Sequence, residues 1–314
     1  MERDKTSNPI KFSIILTSYN LADYVEEAIE SIINQTYPYW ELIIIDDGSQ
    51  DNSVEKIKPY LKDARIKLFV HEKNQGAGKT VRDAMKYSSN EIIGLIDSDD
   101  ALAEDALEIM ANAYKHYPHY GVIYSNYWIC DKDLNIVKEY KYKDGTGQVN
   151  PKKSNLLEKK AKHFKTFRRE AYEKTKGFNP KLKMNCDRDI VQKLEEVTEF
   201  KYIDKPLYYY RVHGSGVTRS NPQQVFLESY ITRVNAYFRR LNTELPNVTL
   251  EDLYTFYYNI TFYNLFNFII STIKFFKISL VIKSLKKSFP NSIQKVLLHF
   301  KKNKYFSFLI KKFK

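Results

Sequence analysis

Residues 91–100 read Glu91-Ile92-Ile93-Gly94-Leu95-Ile96-Asp97-Ser98-Asp99-Asp100. A short apolar run stops abruptly at three carboxylates within four positions. An extended strand alternates its faces, so Asp97 and Asp99 leave its mouth on the same side. Two hard oxygen ligands in that arrangement suit Mg²⁺ or Mn²⁺, which keep open positions for phosphate oxygens. The stretch therefore predicts a strand over 92–96 that presents a metal-diphosphate site at its carboxyl end. Acidic residues after a strand are also ordinary turn and cap chemistry, so its neighbours must decide. Asp100 reads as the cap of the helix that follows.

Two earlier apolar runs end in the same manner. Ile14-Ile15-Leu16 leads into Thr17-Ser18-Tyr19-Asn20, and Ile43-Ile44-Ile45 leads into Asp46-Asp47-Gly48-Ser49. Strands are predicted over 11–17, 41–46, 66–70, 92–96 and 121–128. Between them lie helical patterns. Asn20 is placed to cap the first, where Tyr24, Val25, Ala28, Ile29 and Ile32 fall at helical spacing. Others are predicted over 51–61, 76–87 and 101–117. This alternation implies an α/β, doubly wound, mostly parallel sheet with ligands at the carboxyl ends of its strands. Residues 139–162 read as a lysine-rich loop, 168–176 and 187–197 as helices, and 200–212 as an aromatic strand. From Pro222 onward the chain reads as helical.

The chain of 314 residues, 43% hydrophobic, is large enough for a real core. Its two cysteines, Cys130 and Cys186, exclude a disulfide framework and a four-cysteine zinc site, which predicts a reducing compartment. The charged start at Met1-Glu2-Arg3-Asp4-Lys5 has no signal-peptide core, so a cytoplasmic location is expected. The net charge of +12 resides in the last 62 residues, which carry twelve lysines and no arginine or acid. A neutral body with a basic tail predicts an address, with no nucleic-acid partner. The uncharged run 253–273 is long enough to cross a bilayer. It contains Asn259, Asn264 and Asn267, which argues against spanning. Beyond it, Ile278, Val281, Ile282 and Leu285 oppose Lys283, Lys286 and Lys287. That amphipathic pattern predicts peripheral association with an anionic inner membrane face.

The three strand ends together make a pocket edge carrying hydroxyls, an aromatic ring and carboxylates. An Asp there can accept the imide N–H of a uracil, and a Tyr ring can stack on the base. Gly76-Ala77-Gly78-Lys79-Thr80 is not a phosphate loop, because Lys73 stands where that motif needs its first glycine.

In order and spacing these segments resemble family-two inverting glycosyltransferases with the GT-A fold, over about residues 10–220. Asp97-Ser98-Asp99 matches the family's Asp-X-Asp motif. His163 through Tyr172 and Gly177-Phe178 resemble its acceptor-side segment, and Tyr210-Arg211-Val212-His213 its Tyr-Arg-X-His element. The resemblance implies Thr17, Tyr19 and Asp47 on the nucleoside, with Asp97 and Arg82 towards ribose and diphosphate. It implies Asp99, Asp97 and His213 as metal ligands and Asp187 as general base. Arg82 stands where the family usually has Asn, and Cys186 where it has Glu. Loss of that Glu removes a like charge able to raise the base's pKa.

The expected organisation is a GT-A catalytic domain over 1–220, with 10–128 binding a nucleotide sugar and 129–220 facing the acceptor. A helical, basic extension over 221–314 follows. The expected activity is Mn²⁺- or Mg²⁺-dependent transfer from a nucleotide sugar, a UDP-sugar, to a glycan or lipid-linked acceptor in surface polysaccharide synthesis. The rival reading is a catalytically impaired glycan-binding or scaffold protein at the membrane, suggested by Cys186.

Overall fold

The computed structural model describes residues 8–142, 145, 147–149, 160–214 and 222–241. Four apolar runs become parallel strands: β1 (Phe12–Ser18), β2 (Trp40–Asp46), β3 (Ile66–Val70) and β4 (Ile92–Asp97). Their registers are parallel, β3 to β2, β2 to β1 and β1 to β4. The ends of β2, β1 and β4 therefore open side by side, with Thr17 paired to both Ile45 and Asp97.

The sheet continues through β5 (Ala101–Leu102), β6 (Tyr120–Cys130), β7 (Ile136–Glu139), β8 (Lys165–Arg168) and β9 (Glu199–Arg211). Its order is β3-β2-β1-β4-β8-β6-β9-β5, with β7 alongside β6. β8 lies antiparallel between β4 and β6, while β6 and β9 pair in parallel. Insertion of β8 joins the first half to the acceptor-side segment through backbone bonds.

The strand period of two assigns β1 to both cores. Phe12, Ile14 and Leu16 pack with α1 (Val25–Ile33) and α4 (Ala106–His116). Ile15 packs on the other face, with α3 (Ala77–Tyr87) and α6 (Cys186–Leu194). Two short helices, α2 (Ser53–Ile57) and α5 (Arg169–Glu173), complete the connections.

The last helix described, α7 (Pro222–Leu241), packs on α6. Arg239 and Arg240 pair with Glu196 and Glu195 at 2.8 and 2.9 Å. Residues 222–241 thus pack in the same compact unit as α6. The membrane-tail reading and most of the 139–162 loop lie outside the described residues. Among the described residues no helix is long and apolar enough to cross a membrane.

Two expected helix caps are corrected. Asn20 adopts a left-handed backbone, φ 53°, and its Oδ1 accepts the Gln50 amide at 2.8 Å. It ties the β1 turn to the β2 turn, while α1 begins only at Val25. Asp100 does not cap α4, which starts at Ala106; residues 101–102 form β5 instead. The short strand is held by pairing with Tyr208 and Tyr209 of β9, a partner about 100 residues away that local periodicity cannot reveal.

Candidate active site

Tyr19, directly after β1, is 42% exposed. Asp47 is buried and largely occupied. Its Oδ1 accepts the Gln75 amide at 2.9 Å and faces His71 Nδ1 at 2.8 Å, and its Oδ2 accepts the Gly76 amide at 2.8 Å. Asp47 therefore anchors the turn into α3 at the mouth of the cleft. His71 also faces Asp83 at 3.4 Å. From there a groove of about 530 Å³ runs between β3 and α3, past Gln75, Lys79 and Tyr87, and contains none of the acidic cluster.

The start of α3 carries no vacant phosphate cradle. The Ala77 and Gly78 amides donate to the carbonyls of Lys183 and Leu182 at 3.2 and 3.0 Å. A Cβ on Gly78 would lie 2.2 Å from the Asn179 carbonyl oxygen, which is why glycine stands there. Arg82 lies on the exposed side of α3 and donates to the Phe178 carbonyl at 2.9 Å, on the acceptor side.

The acidic cluster divides its work. Asp99 Oδ2 faces His213 Nε2 at 2.9 Å, and the His213 ring packs on Tyr24 at 4.5 Å. Asp97 instead converges with Asp100 and His163, whose ligand atoms lie within 4.8 Å of one another. Asp100 is buried, accepting the Tyr208 hydroxyl at 2.6 Å and the Arg211 amide at 2.8 Å. Burial and the charges of Asp99 and Asp97 hold it well above the usual carboxylate range. Asp97 opens to solvent, but the enclosing protein and the Asp99 and Asp187 charges raise it, against the pull of Lys165. Arg211 is structural: Nε donates to the Asp99 carbonyl, Nη1 to that of Lys132, and Nη2 pairs with Glu27.

Across from this cluster, α6 begins with Cys186 and Asp187. Asn185 precedes it in a left-handed conformation, φ 52°, which turns the chain sharply into the helix. Lys165 of β8, its side chain only 8% exposed, donates to Asp187 Oδ2 at 3.0 Å. Burial pushes Asp187 up, but Lys165 and then Arg188 outweigh it and hold the carboxyl down at about 2. Burial raises the Cys186 thiol, which stays protonated beside it. His163 stacks against Tyr208 and Tyr210, and burial with Lys165 nearby keeps it neutral.

Sequence reasoning did not single out Lys165, His163 or the burial of Asp100. A lysine two residues after a histidine carries no signal by itself, since lysines are rarely buried unless paired. The only available sign was their position in the acceptor-side segment.

A family model described as "Glycosyl transferase family 2" matches residues 13–176. The chain is 29% identical over 230 residues to a chondroitin synthase of Escherichia coli, covering 73% of this chain and 33% of that protein. A chondroitin synthase of Pasteurella multocida is 29% identical over 211 residues, 67% of this chain and 21% of the relative. The chain thus spans a third or less of the length of these relatives. It is 36% identical over 126 residues to an Escherichia coli UDP-Glc:alpha-D-GlcNAc-diphosphoundecaprenol beta-1,3-glucosyltransferase, 40% of this chain and 49% of that one. Among solved structures, S. aureus TarS 1–349 in complex with UDP superposes with a TM-score of 0.63 at 21% identity, over 80% of this chain and 72% of that chain. A Pyrobaculum calidifontis mannosyltransferase in complex with GDP-Man and Mn²⁺ gives 0.52 at 16% identity, over 92% and 83%. The common architecture is the mostly parallel GT-A sheet.

Proposed function

The chain belongs to glycosyl transferase family 2, and from that premise we propose that it transfers a sugar, with inversion, from a UDP-sugar to a hydroxyl of a glycan or lipid-linked acceptor in surface polysaccharide synthesis. One observation carries the reading. A buried ammonium, Lys165, pairs with Asp187 at 3.0 Å and acts electrostatically on Asp97 at the end of β4, as Asp187 itself does, which links the donor-side and acceptor-side carboxylates. The names of the relatives agree with a polysaccharide role, and TarS is described in complex with UDP.

In this reading Tyr19, Thr17 and Asp47 form the nucleoside end. Asp187 takes the proton of the attacking hydroxyl; Lys165 occupies Oδ2 and leaves Oδ1 for it. Held near 2, Asp187 is ionised throughout the neutral range. Asp97, Asp99 and His213 are the proposed metal ligands, with Asp100 and His163 adjoining Asp97. An oxygen-rich set with one imidazole fits Mn²⁺ or Mg²⁺. Bound there, the ion would supply charge neutralisation to a departing diphosphate. The lysine-rich tail is proposed to dock on an anionic membrane, tested by vesicle flotation with and without residues 278–314.

UDP release from a panel of UDP-sugars with Mn²⁺ tests the activity. Asp99→Asn and Asp187→Asn are each expected to lower turnover by about 100-fold or more. Turnover unaffected by both substitutions overturns the assigned roles. UDP binding without transfer to any acceptor favours the scaffold reading.

A further inference from the structure

The imidazole of His163 is fixed by rings alone. Tyr208 and Tyr210, two apart on β9 and so on one face, stack against it at 4.8 and 5.1 Å. Tyr127 of β6 meets it edge-on at 4.9 Å. Tyr208 is itself anchored, its hydroxyl donating to Asp100 at 2.6 Å and accepting the Asp97 amide at 3.3 Å. Ring contacts set the orientation of an imidazole without using its nitrogens. His163 makes no hydrogen bond among the described residues.

The ring ends beside two carboxylates. Ligand atoms of His163, Asp97 and Asp100 all lie within 4.8 Å of one another. Asp100 is engaged by the Tyr208 hydroxyl and the Arg211 amide. Asp97 is exposed, and its carboxylate accepts no hydrogen bond among the described residues. An imidazole N–H and a carboxylate oxygen at that separation are both reached by one hydroxyl oxygen, about 2.8 Å from each. The hydroxyl accepts from the ring and donates to the carboxylate. The same stretch of chain is tied to the acceptor side. Lys165 Nζ donates to the Lys162 carbonyl, and also to Asp187 Oδ2 at 3.0 Å. His163 therefore stands on the segment that links the acidic end of β4 to the candidate base.

On the transferase reading above, a sugar passing from the diphosphate to a hydroxyl at Asp187 lies along this segment. Resting on that reading, we propose that His163, together with Asp97, grips one hydroxyl of the transferred sugar and so selects the donor. A ring held by three tyrosines cannot swing to follow a hydroxyl moved to another carbon or inverted in configuration. A donor without that hydroxyl forfeits one bond to the imidazole and one charge-assisted bond to the carboxylate.

The test uses the full chain with Mn²⁺, the UDP-sugar from which it releases UDP fastest, and that donor's monodeoxy analogues, one for each ring hydroxyl. One analogue is expected to lose about 10-fold or more in kcat/KM, the worth of one charge-assisted bond. His163→Phe keeps an aromatic ring among the tyrosines. It should cut the discrimination at that one position by about fivefold or more and leave the other positions unchanged. Affinities for UDP and for Mn²⁺ alone should stay within about twofold. In the unmutated chain, the ¹⁵N shifts of the His163 ring should move on binding the full donor but not on binding UDP or the discriminated analogue. Discrimination that survives His163→Phe, or no discriminated position at all, overturns the proposal. Weaker Mn²⁺ binding by the variant overturns it too, by making His163 a metal ligand. A parent chain that releases UDP from no donor overturns the transferase reading, and this inference with it.

Discussion

Lys165→Met removes the ammonium beside Asp187 while keeping the length and apolar stem of the side chain. The pair is separated by 3.0 Å, and the Asp187 side chain is 44% exposed. At the dielectric of water the interaction is about 1.4 kcal/mol, equivalent to about one pKa unit, and a lower effective dielectric enlarges it. Its half-open position favours the smaller figure. The sign is fixed by which form the ammonium favours. Lys165 stabilises the carboxylate, so its loss raises the pKa by about one unit, part of the way back towards the ordinary value, while Arg188 still lowers it. Protonated Asp187 cannot accept the proton of an attacking hydroxyl. The parent, held at about 2, should therefore show no activity loss from Asp187 above about pH 4. The variant should lose turnover about one pH unit above the parent. Initial rates of UDP release from about pH 3 to 8, with the ¹³C carboxyl shift of Asp187 followed in parallel, measure this. Superimposable parent and variant profiles refute the argument that Lys165 sets the charge of Asp187.

Gly78→Ala forces a Cβ to within 2.2 Å of the Asn179 carbonyl oxygen, and should cost about 1–3 kcal/mol, a fall in Tm of roughly 2–12 °C by calorimetry. Glu41 accepts bonds from Ser13, Ser89 and Lys67 that outweigh burial and lower its pKa. Its stabilising effect is present above the ordinary carboxylate range and fades as pH falls through the depressed value. Glu41→Gln should therefore cost about 1–2 kcal/mol in denaturant titrations at pH 7 and converge with the parent as pH falls through the depressed Glu41 pKa. Glu228 is buried and accepts the Lys183 and Met184 amides at 3.1 and 2.7 Å. Glu228→Ala should speed hydrogen exchange at those amides by about tenfold or more and lower turnover, with UDP affinity unchanged.

Strands β1, β2 and β4 were readable because each is a run of apolar residues broken by polar ones at the carboxyl end, with both faces largely buried, whereas β3 is a half-exposed strand read from its alternation. Predicted and observed limits agree within a residue or two for β1 through β4. The failures share a cause. β5 has two residues and β8 four, and each is stabilised by partners far along the chain. Asp100 looked like a cap because its real partners, Tyr208 and Arg211, are more than a hundred positions away. In the site, the carboxylates were visible as residue types, but their division was not. The sequence grouped Asp97, Asp99 and His213, whereas the fold pairs Asp99 with His213 and turns Asp97 towards Asp100 and His163. Lys165 was invisible because its burial depends on β8 pairing with β6, where it stands opposite Tyr124.

The loop before α6 is fastened on two sides. Its Leu182 and Lys183 carbonyls accept the first amides of α3, and its Lys183 and Met184 amides donate to Glu228 of α7. For engineering, this means the first half of the chain is not an interchangeable cassette. A chimera spliced after β6 would place a foreign helix start against this loop and shift Asp187 with it. Exchanging donor preference between relatives should succeed only when residues 179–185 and the partner of Glu228 travel with the first half.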